Sequence, residues 1–244
     1  MHLMPVGMSK TKQPDISLSM PLFNEADCIE DTATELLNVF QKNGVDLELI
    51  LVNNGSIDAT GEIIDRLAKK DKRIKTLHFR KNQGFGGGIL AGMRMGLGRY
   101  VGFTCGDGQI TARETVAMYQ KAVRESLDVC KSIRVKRYDG PKRWVISKIY
   151  NLMFRILFLK RYKDINGYPV MIRRELFQKM NLQSSRWMIN VEILRKADQL
   201  RAKVGAMPVV FQRRRSGKGM GGVNIMTVIA FIKEIVKYRL TGRN

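Results

Sequence analysis

The sequence predicts an α/β fold built on a mostly parallel sheet with helices on both faces. Three observations lead there. Short apolar runs alternate with segments of helical periodicity between residues 16 and 109, joined by short connections. One run, Leu47–Val52, is almost continuously apolar, as a strand covered on both faces must be. Another, beginning at Tyr100-Val101-Gly102-Phe103, leads into Cys105-Gly106-Asp107-Gly108-Gln109. That places a glycine-flanked carboxylate at a strand's carboxyl end, where open sheets of this kind bind ligands.

Residues 1–14 are polar and read as a loose leader. The first strand is expected over Ile16–Met20, ending at Pro21, with the turn Pro21-Leu22-Phe23-Asn24-Glu25-Ala26 behind it. A helix follows from about Asp27 to Lys42, with Ile29, Ala33, Leu36, Leu37 and Phe40 at helical spacing, and Asn43-Gly44 ends it. Beyond Leu47–Val52, Asn53-Asn54-Gly55-Ser56 makes a turn, and Ser56 or Asp58 caps a helix through Lys69. Ile74–Phe79 is the third strand.

The glycine-rich stretch Asn82-Gln83-Gly84-Phe85-Gly86-Gly87-Gly88 is expected as a turn opening a helix at about Ile89–Gly98. Its free N–H groups suit an anion, with tight helix–sheet packing as the competing reading. Its spacing is neither that of a Walker loop nor that of a dinucleotide fingerprint. Strand ends at 21–25, 52–55 and 103–109 converge on one edge, which predicts a site. There Asp107 is either the start of an Asp-Gly turn or an anchor for Mg²⁺ or Mn²⁺ carrying a diphosphate.

Charge is placed unevenly. Residues 1–130 carry 16 Lys/Arg and 16 Asp/Glu, whereas residues 131–244 carry 27 against 6, so the whole net charge of +21 lies in the C-terminal part. One-signed charge of this size calls for an anionic partner: a phosphorylated ligand, an anionic membrane surface or a nucleic acid. Nucleic acid is disfavoured. Trp144, Tyr150, Phe154 and Phe158 lie on an apolar helix rather than on a strand platform, and no helix-turn-helix or finger spacing is present. Three cysteines without metal-ligand spacing point to a reducing cytoplasm, no secretion signal is visible, and no run is long enough to span a bilayer.

An ordered set of segments then resembles glycosyltransferase family 2, closest to its polyprenyl-phosphate (dolichyl-phosphate mannose synthase-like) branch. The segments are Pro21-Leu22-Phe23-Asn24-Glu25, Val52 to Thr60, Asn82 to Gly92 and Gly106-Asp107-Gly108-Gln109. Downstream, Asp164-Ile165-Asn166-Gly167-Tyr168, Asn190-Val191-Glu192 (against Asp-x-Glu) and the basic tail Phe211 to Gly217 continue the likeness over about residues 16–220. The resemblance implies a nucleotide-sugar-binding fold of the GT-A type, with the transferase domain over 15–220; the residue pattern beyond it predicts an amphipathic C-terminal helix over 221–244. It implies an inverting transfer assisted by Mg²⁺ or Mn²⁺, from a nucleotide-sugar donor to a polyprenyl phosphate.

Carried over residue by residue, Pro21, Phe23, Glu25, Asn53, Asn54, Gly84, Asp107, Gln109, Arg214 and Lys218 would bind the nucleotide sugar. Asp107 and Gln109 would hold the metal. Apart from the resemblance, Arg134 and Arg137, just beyond the strand expected at Asp128–Ser132, are candidates to clamp the acceptor phosphate, since guanidinium pairs phosphate in two-pronged fashion. A polyprenyl phosphate needs no general base. A hydroxyl acceptor does, with Asp164 the first candidate and Glu192 the second. Asn53, Asn54 and Cys105 depart from the family's usual aspartates, and a thiol is a poor ligand for a hard cation. The alternatives are a family member acting on a saccharide or lipid hydroxyl, and a non-catalytic basic binding protein.

Residues 131–163 hold 11 Lys/Arg and one other charge, Asp139. Within them Val145–Leu159 is a helix with Lys148, Asn151 and Arg155 on one face and Ile149, Leu152, Met153 and Ile156 on another. It reads either as core or, with its basic flanks and Trp144, as a helix lying in a membrane interface. Val223–Leu240 repeats the theme. Together they predict peripheral association with the cytoplasmic face of a membrane.

Overall fold

In the computed structural model, residues 13–138, 141–158, 162–184, 186–215, 233–236 and 238 are described. The strands are β1 (Ile16–Leu22), β2 (Leu47–Asn54), β3 (Ile74–Phe79), β4 (Tyr100–Phe103), β5 (Val129–Arg137), β6 (Val170–Arg173) and β7 (Val204–Phe211). They form one sheet in the order β3-β2-β1-β4-β6-β5-β7. Only β6 runs against its neighbours; β1 pairs in parallel with β2 and β4, β2 with β3, and β5 with β7. This is the α/β architecture with a mostly parallel sheet that the residue pattern predicts.

The helices are α1 (Ile29–Lys42), α2 (Thr60–Lys70), α3 (Gly84–Met95), α4 (Ala112–Arg124), α5 (Pro141–Phe158), α6 (Arg174–Met180) and α7 (Ile189–Gln199). The apolar stripes of α1, α2 and α4 close one face of the sheet through Phe40, Leu67 and Val116. On the other face α3, α6 and α7 meet over Ile89, Phe177 and Ile193. A third cluster joins α5 to α7 and to the C-terminal residues Ile235 and Tyr238.

Local chemistry explains the element boundaries. Thr111 and Glu114 form a reciprocal capping box at the start of α4, and Glu114 also accepts the N–H of Val210, tying α4 to β7. Asp58 accepts the N–H of Thr60 at the start of α2. Strand β1 continues through Pro21, two residues past the expected end. Its last β4 partner is Ser19, so the missing proline N–H falls beyond the ladder that β4 completes.

Helix α3 begins at Gly84 rather than Ile89, so the glycines lie inside the helix. A Cβ at Gly92 would overlap the Ser19 side chain, and one at Gly86 would sit 2.5 Å from the carbonyl oxygen of Ser184. Glycine is a poor helix former, but here it lets α3 lie against β1 and against the loop before α7.

The strand order reverses between β1 and β4, since β2 and β3 extend the sheet one way and β6, β5 and β7 the other. Such switch points open a crevice at the carboxyl ends of the strands. No described helix is long and apolar enough to cross a membrane.

Candidate active site

The crevice at the β1–β4 switch point is a cleft with two chemically distinct walls. The first wall follows the two strand ends. Pro21, Phe23 and Glu25 come from the turn after β1, and Cys105, Asp107 and Gln109 from the turn after β4. Gly108 adopts φ +70°, which lets the chain fold back directly after Asp107. The tail after β7 crosses this turn: Gln212 N–H donates to Gln109 O, Gln109 Nε2 to Gln212 O, and Arg215 N–H to Asp107 O.

That crossing delivers the Arg214 guanidinium to both carboxylates, 2.5 Å from Glu25 Oε1 and 3.6 Å from Asp107 Oδ2. Burial pushes the Glu25 carboxyl above its ordinary value, against the pull of Arg214. Burial and the charge of Asp107 push the Cys105 thiol well above its usual range, so it stays a neutral thiol.

The second wall is basic. Arg134 and Arg137 are three residues apart on β5, and a regular strand would send them to opposite faces. The pairing of β5 with β7 shifts register between Arg134 and Lys136, and this bulge returns both to one face. Their guanidinium carbons lie 5.2 and 5.9 Å from the centre of the Phe211 ring. Arg134 makes a two-pronged pair with Asp164 at 2.8 and 2.6 Å, and Arg137 donates to Ser147 Oγ at 2.6 Å. Beneath them the buried Lys131 Nζ donates to the carbonyls of Ser132, Lys163 and Asp164, pinning the 163–164 turn, and burial pulls its pKa down to about 8.

Several expected site residues have other tasks. Asp164 does not line the cleft; it holds Arg134. Burial raises its pKa, but the hydrogen bonds and charge of Arg134 outweigh this and keep the carboxyl below the usual range. Glu192 is buried and accepts the N–H groups of Gln183 and Ser184, with Lys196 beside it. Both carboxylates are engaged by these partners.

Asn54 lines the cleft, but its side chain accepts the Gln83 N–H and donates to Gly84 O, fixing the start of α3. Asn53 and Gly84 are not in the lining. Asn53 Oδ1 closes the turn at Ser56, and its Nδ2 meets His78. Lys218 lies outside the described residues.

Among the cleft residues given no role from the sequence are Phe85, Asn166, Trp187 and Asn190. Trp187 stacks on Phe85 with ring centres 4.8 Å apart at 21°. The signal for it was present, since the chain has only two tryptophans and this one precedes Asn190-Val191-Glu192 by three residues.

No group of three or more His, Cys, Asp or Glu able to cage a metal occurs among the described residues. The donors that are present, a carboxylate of Asp107 and the amide oxygen of Gln109, are hard oxygens. They fit a Mg²⁺-like ion that takes most of its shell from a diphosphate and water. Arg214 shares that carboxylate.

The comparisons with known proteins identify the family and the fold. The sequence model of the family described as Glycosyl transferase family 2 matches residues 17–196. The chain belongs to glycosyltransferase family 2. Among curated relatives it is 32% identical over 178 residues to the uncharacterized glycosyltransferase EpsJ of Bacillus subtilis, covering 69% of this chain and 51% of that protein. It is 28% identical over 160 residues to the undecaprenyl-phosphate 4-deoxy-4-formamido-L-arabinose transferase of Pectobacterium atrosepticum, covering 65% and 48%. The chain thus spans about half the length of these relatives.

Among solved structures, glucosyl-3-phosphoglycerate synthase of Mycobacterium tuberculosis, in complex with Mn²⁺, UDP-glucose and phosphoglyceric acid, superposes with a TM-score of 0.68 at 16% identity. The match covers 94% of this chain and 79% of that one, and it establishes the GT-A fold.

Proposed function

We propose that this family 2 member transfers a sugar, with inversion, from a nucleotide-sugar donor to the phosphate of a polyprenyl phosphate at an anionic membrane surface. The observation that carries the reading is the chemistry of the cleft. Among the described lining residues the only carboxylates are Glu25 and Asp107, both held by Arg214, while Arg134 and Arg137 face the opposite side. Asn190 stands where the family's Asp-x-Glu segment begins with an aspartate, and an amide takes no proton. A phosphate oxygen is already ionised at neutral pH and attacks without a base; a hydroxyl does not.

Two further observations support the acceptor. A groove leads out of the cleft past the shared residues Arg134, Arg137 and Ser147, between β5 and α5. Its sides combine Val135, Trp144 and Leu152 with Lys148, Arg155 and Lys163, a mixture suited to an anionic amphiphile. It opens beside an exposed apolar stripe on α5, where Ile149, Leu152 and Ile156 are 42%, 57% and 63% exposed. The undecaprenyl-phosphate relatives from Pectobacterium add an independent line.

In the transfer, Arg134 and Arg137 bind and orient the acceptor phosphate, set at their angle by Asp164 and Ser147. The first wall receives the donor's diphosphate, and Arg214 stabilises the charge that develops on the leaving group. A divalent ion on Asp107 and Gln109 adds Lewis-acid stabilisation when bound. Nucleoside diphosphate release from a panel of nucleotide sugars, with a short polyprenyl phosphate as acceptor, tests this. Asp107→Ala is expected to lower turnover at least 100-fold, and unchanged turnover would remove the donor site from Asp107.

A further inference from the structure

Lys131 is a lysine inside the sheet. It is 3% exposed, and on β5 it stands between Val170 of β6 and Ala206 of β7, neither of which carries a charge. Burying an ammonium is unfavourable unless its N–H groups are all used. Here they meet three carbonyl oxygens, of Ser132 at 3.0 Å, Lys163 at 3.2 Å and Asp164 at 2.5 Å. Two of those acceptors belong to the turn between α5 and β6.

That turn needs holding. Asp164 has φ +48°, in the left-handed region that is unfavourable for a residue with a Cβ. Gly167 N–H donates back to Asp164 O, and Gly167 lies so close to β5 that a Cβ there would sit 2.3 Å from Ser132 O. Fixed in this way, Asp164 turns its carboxylate to Arg134 in the two-pronged pair beside the cleft. A chain of contacts therefore runs from the Lys131 ammonium through the 163–164 turn to Asp164 and Arg134.

We propose that Lys131 is a positioning residue for the acceptor: its ammonium fixes the 163–164 turn so that Asp164 holds Arg134 in place for the acceptor phosphate, and a neutral amine there slackens this wall while leaving the first wall intact. The inference rests on the phosphate acceptor proposed above. A neutral amine has one N–H fewer than the three carbonyls require, and its lone pair repels the oxygen left over. Burial brings the pKa of Lys131 down to about 8, so the change falls within an accessible pH range. The charged and titratable groups that face it are Asp164, Arg134 and, on its own strand, Cys130. None of them changes charge in that range. Arg134 holds the Asp164 carboxyl below its usual value, burial pushes the Cys130 thiol up to about 11, and a guanidinium keeps its proton. Because the folded value of Lys131 lies below the ordinary lysine value, the unfolded chain binds this proton more tightly. Its contribution to stability therefore rises as pH climbs from about 8, and a loss of acceptor affinity over that range reports the wall and not unfolding.

Equilibrium binding of a short polyprenyl phosphate tests this, with UDP and GDP in the presence of Mg²⁺ as the control for the first wall. In the unaltered protein acceptor affinity is expected to fall about tenfold between pH 7 and pH 9, following the fraction of intact ammonium, while nucleoside diphosphate affinity stays within about twofold. Lys131→Met should bind the acceptor about tenfold more weakly at pH 7 and lose the pH step, and it should add nothing once Asp164→Asn is present, since both act through Arg134. Should Lys131→Met fail to fold, the pH step of the unaltered protein decides in its place. Acceptor affinity that is flat from pH 7 to pH 9, or a Lys131→Met variant that keeps both the affinity and the pH step, overturns the positioning role and leaves the phosphate acceptor intact. Failure of the unaltered protein to bind the polyprenyl phosphate at any pH overturns the acceptor reading, and this role with it.

Discussion

The Arg134–Asp164 pair sets one wall of the cleft, and its two side chains are 6% and 11% exposed. Breaking a buried pair by neutralising one partner leaves the other charge uncompensated, at a cost of about 3 kcal/mol. Asp164→Asn is therefore expected to destabilise the protein by that amount at pH 7. It should also raise the acceptor KM about tenfold with kcat little changed, because Arg134 loses its orientation and not its charge. The pH dependence has a definite sign. The folded pKa of Asp164 is depressed, so its contribution is complete above the unfolded value of about 3.9 and is lost as pH falls through the lower folded value. Thermal unfolding of both proteins between pH 3 and pH 7 should show their stability difference shrinking only at the acid end. A difference that stays constant down to pH 3 contradicts the ion pair. At this scale the sequence shows which residue types are present and not what surrounds them. Arg134 and Arg137 could be singled out as phosphate clamps, but the bulge that puts them on one face depends on pairing with a strand some 75 residues later. Asp164 and Glu192 had the chemistry of a base, and only the fold shows the partners that engage them, Arg134 for Asp164 and the N–H groups of Gln183 and Ser184 for Glu192.

Helix α5 answers to two environments at once. Tyr150, Phe154 and Phe158 enter the cluster shared with α7, Ile235 and Tyr238, while Ile149, Leu152 and Ile156 stay in solvent beside Lys148 and Arg155. The sequence left core and membrane interface as rival readings, and the geometry divides the helix between a buried face and an exposed apolar one. The expected C-terminal amphipathic helix is described only at Lys233–Val236 and Tyr238, where Ile235 and Tyr238 are buried. Those two apolar residues belong to the core, so in the described part of that segment they are not available to a membrane. Changing Ile149, Leu152 and Ile156 to Gln should abolish flotation with anionic liposomes and move stability by no more than about 0.5 kcal/mol per site. Phe154→Ala, by contrast, should cost about 3–5 kcal/mol in urea unfolding. If the triple variant still floats, α5 is not the membrane contact. The glycine-rich start of α3 was misread as a turn because helix propensity argues against glycine, whereas close packing on β1 decides the matter.

Among the described residues, one crevice brings together turns of the charge-neutral half, at Glu25 and Asp107, and arginines of the basic half, at Arg134, Arg137 and Arg214. The alternation of strands and helices made the parallel sheet legible. Pairing of successive apolar runs is local enough to read from spacing, and so was the convergence of strand ends at Asp107. The antiparallel β6 and the tail that carries Arg214 to Asp107 were not legible at that level, since both depend on contacts made far along the chain. On the proposed reading, the groove that runs from Arg134 and Arg137 to α5 is where the acceptor's phosphate and apolar tail would lie. The central claim is that the nucleophile arrives already ionised. It is tested most directly by nucleoside diphosphate release with a short polyprenyl phosphate set against the matching polyprenol, with the same nucleotide sugar and metal. The account predicts turnover with the phosphate and at least 100-fold less with the alcohol. Equal turnover with the alcohol would contradict it, because the cleft would then have to contain a base.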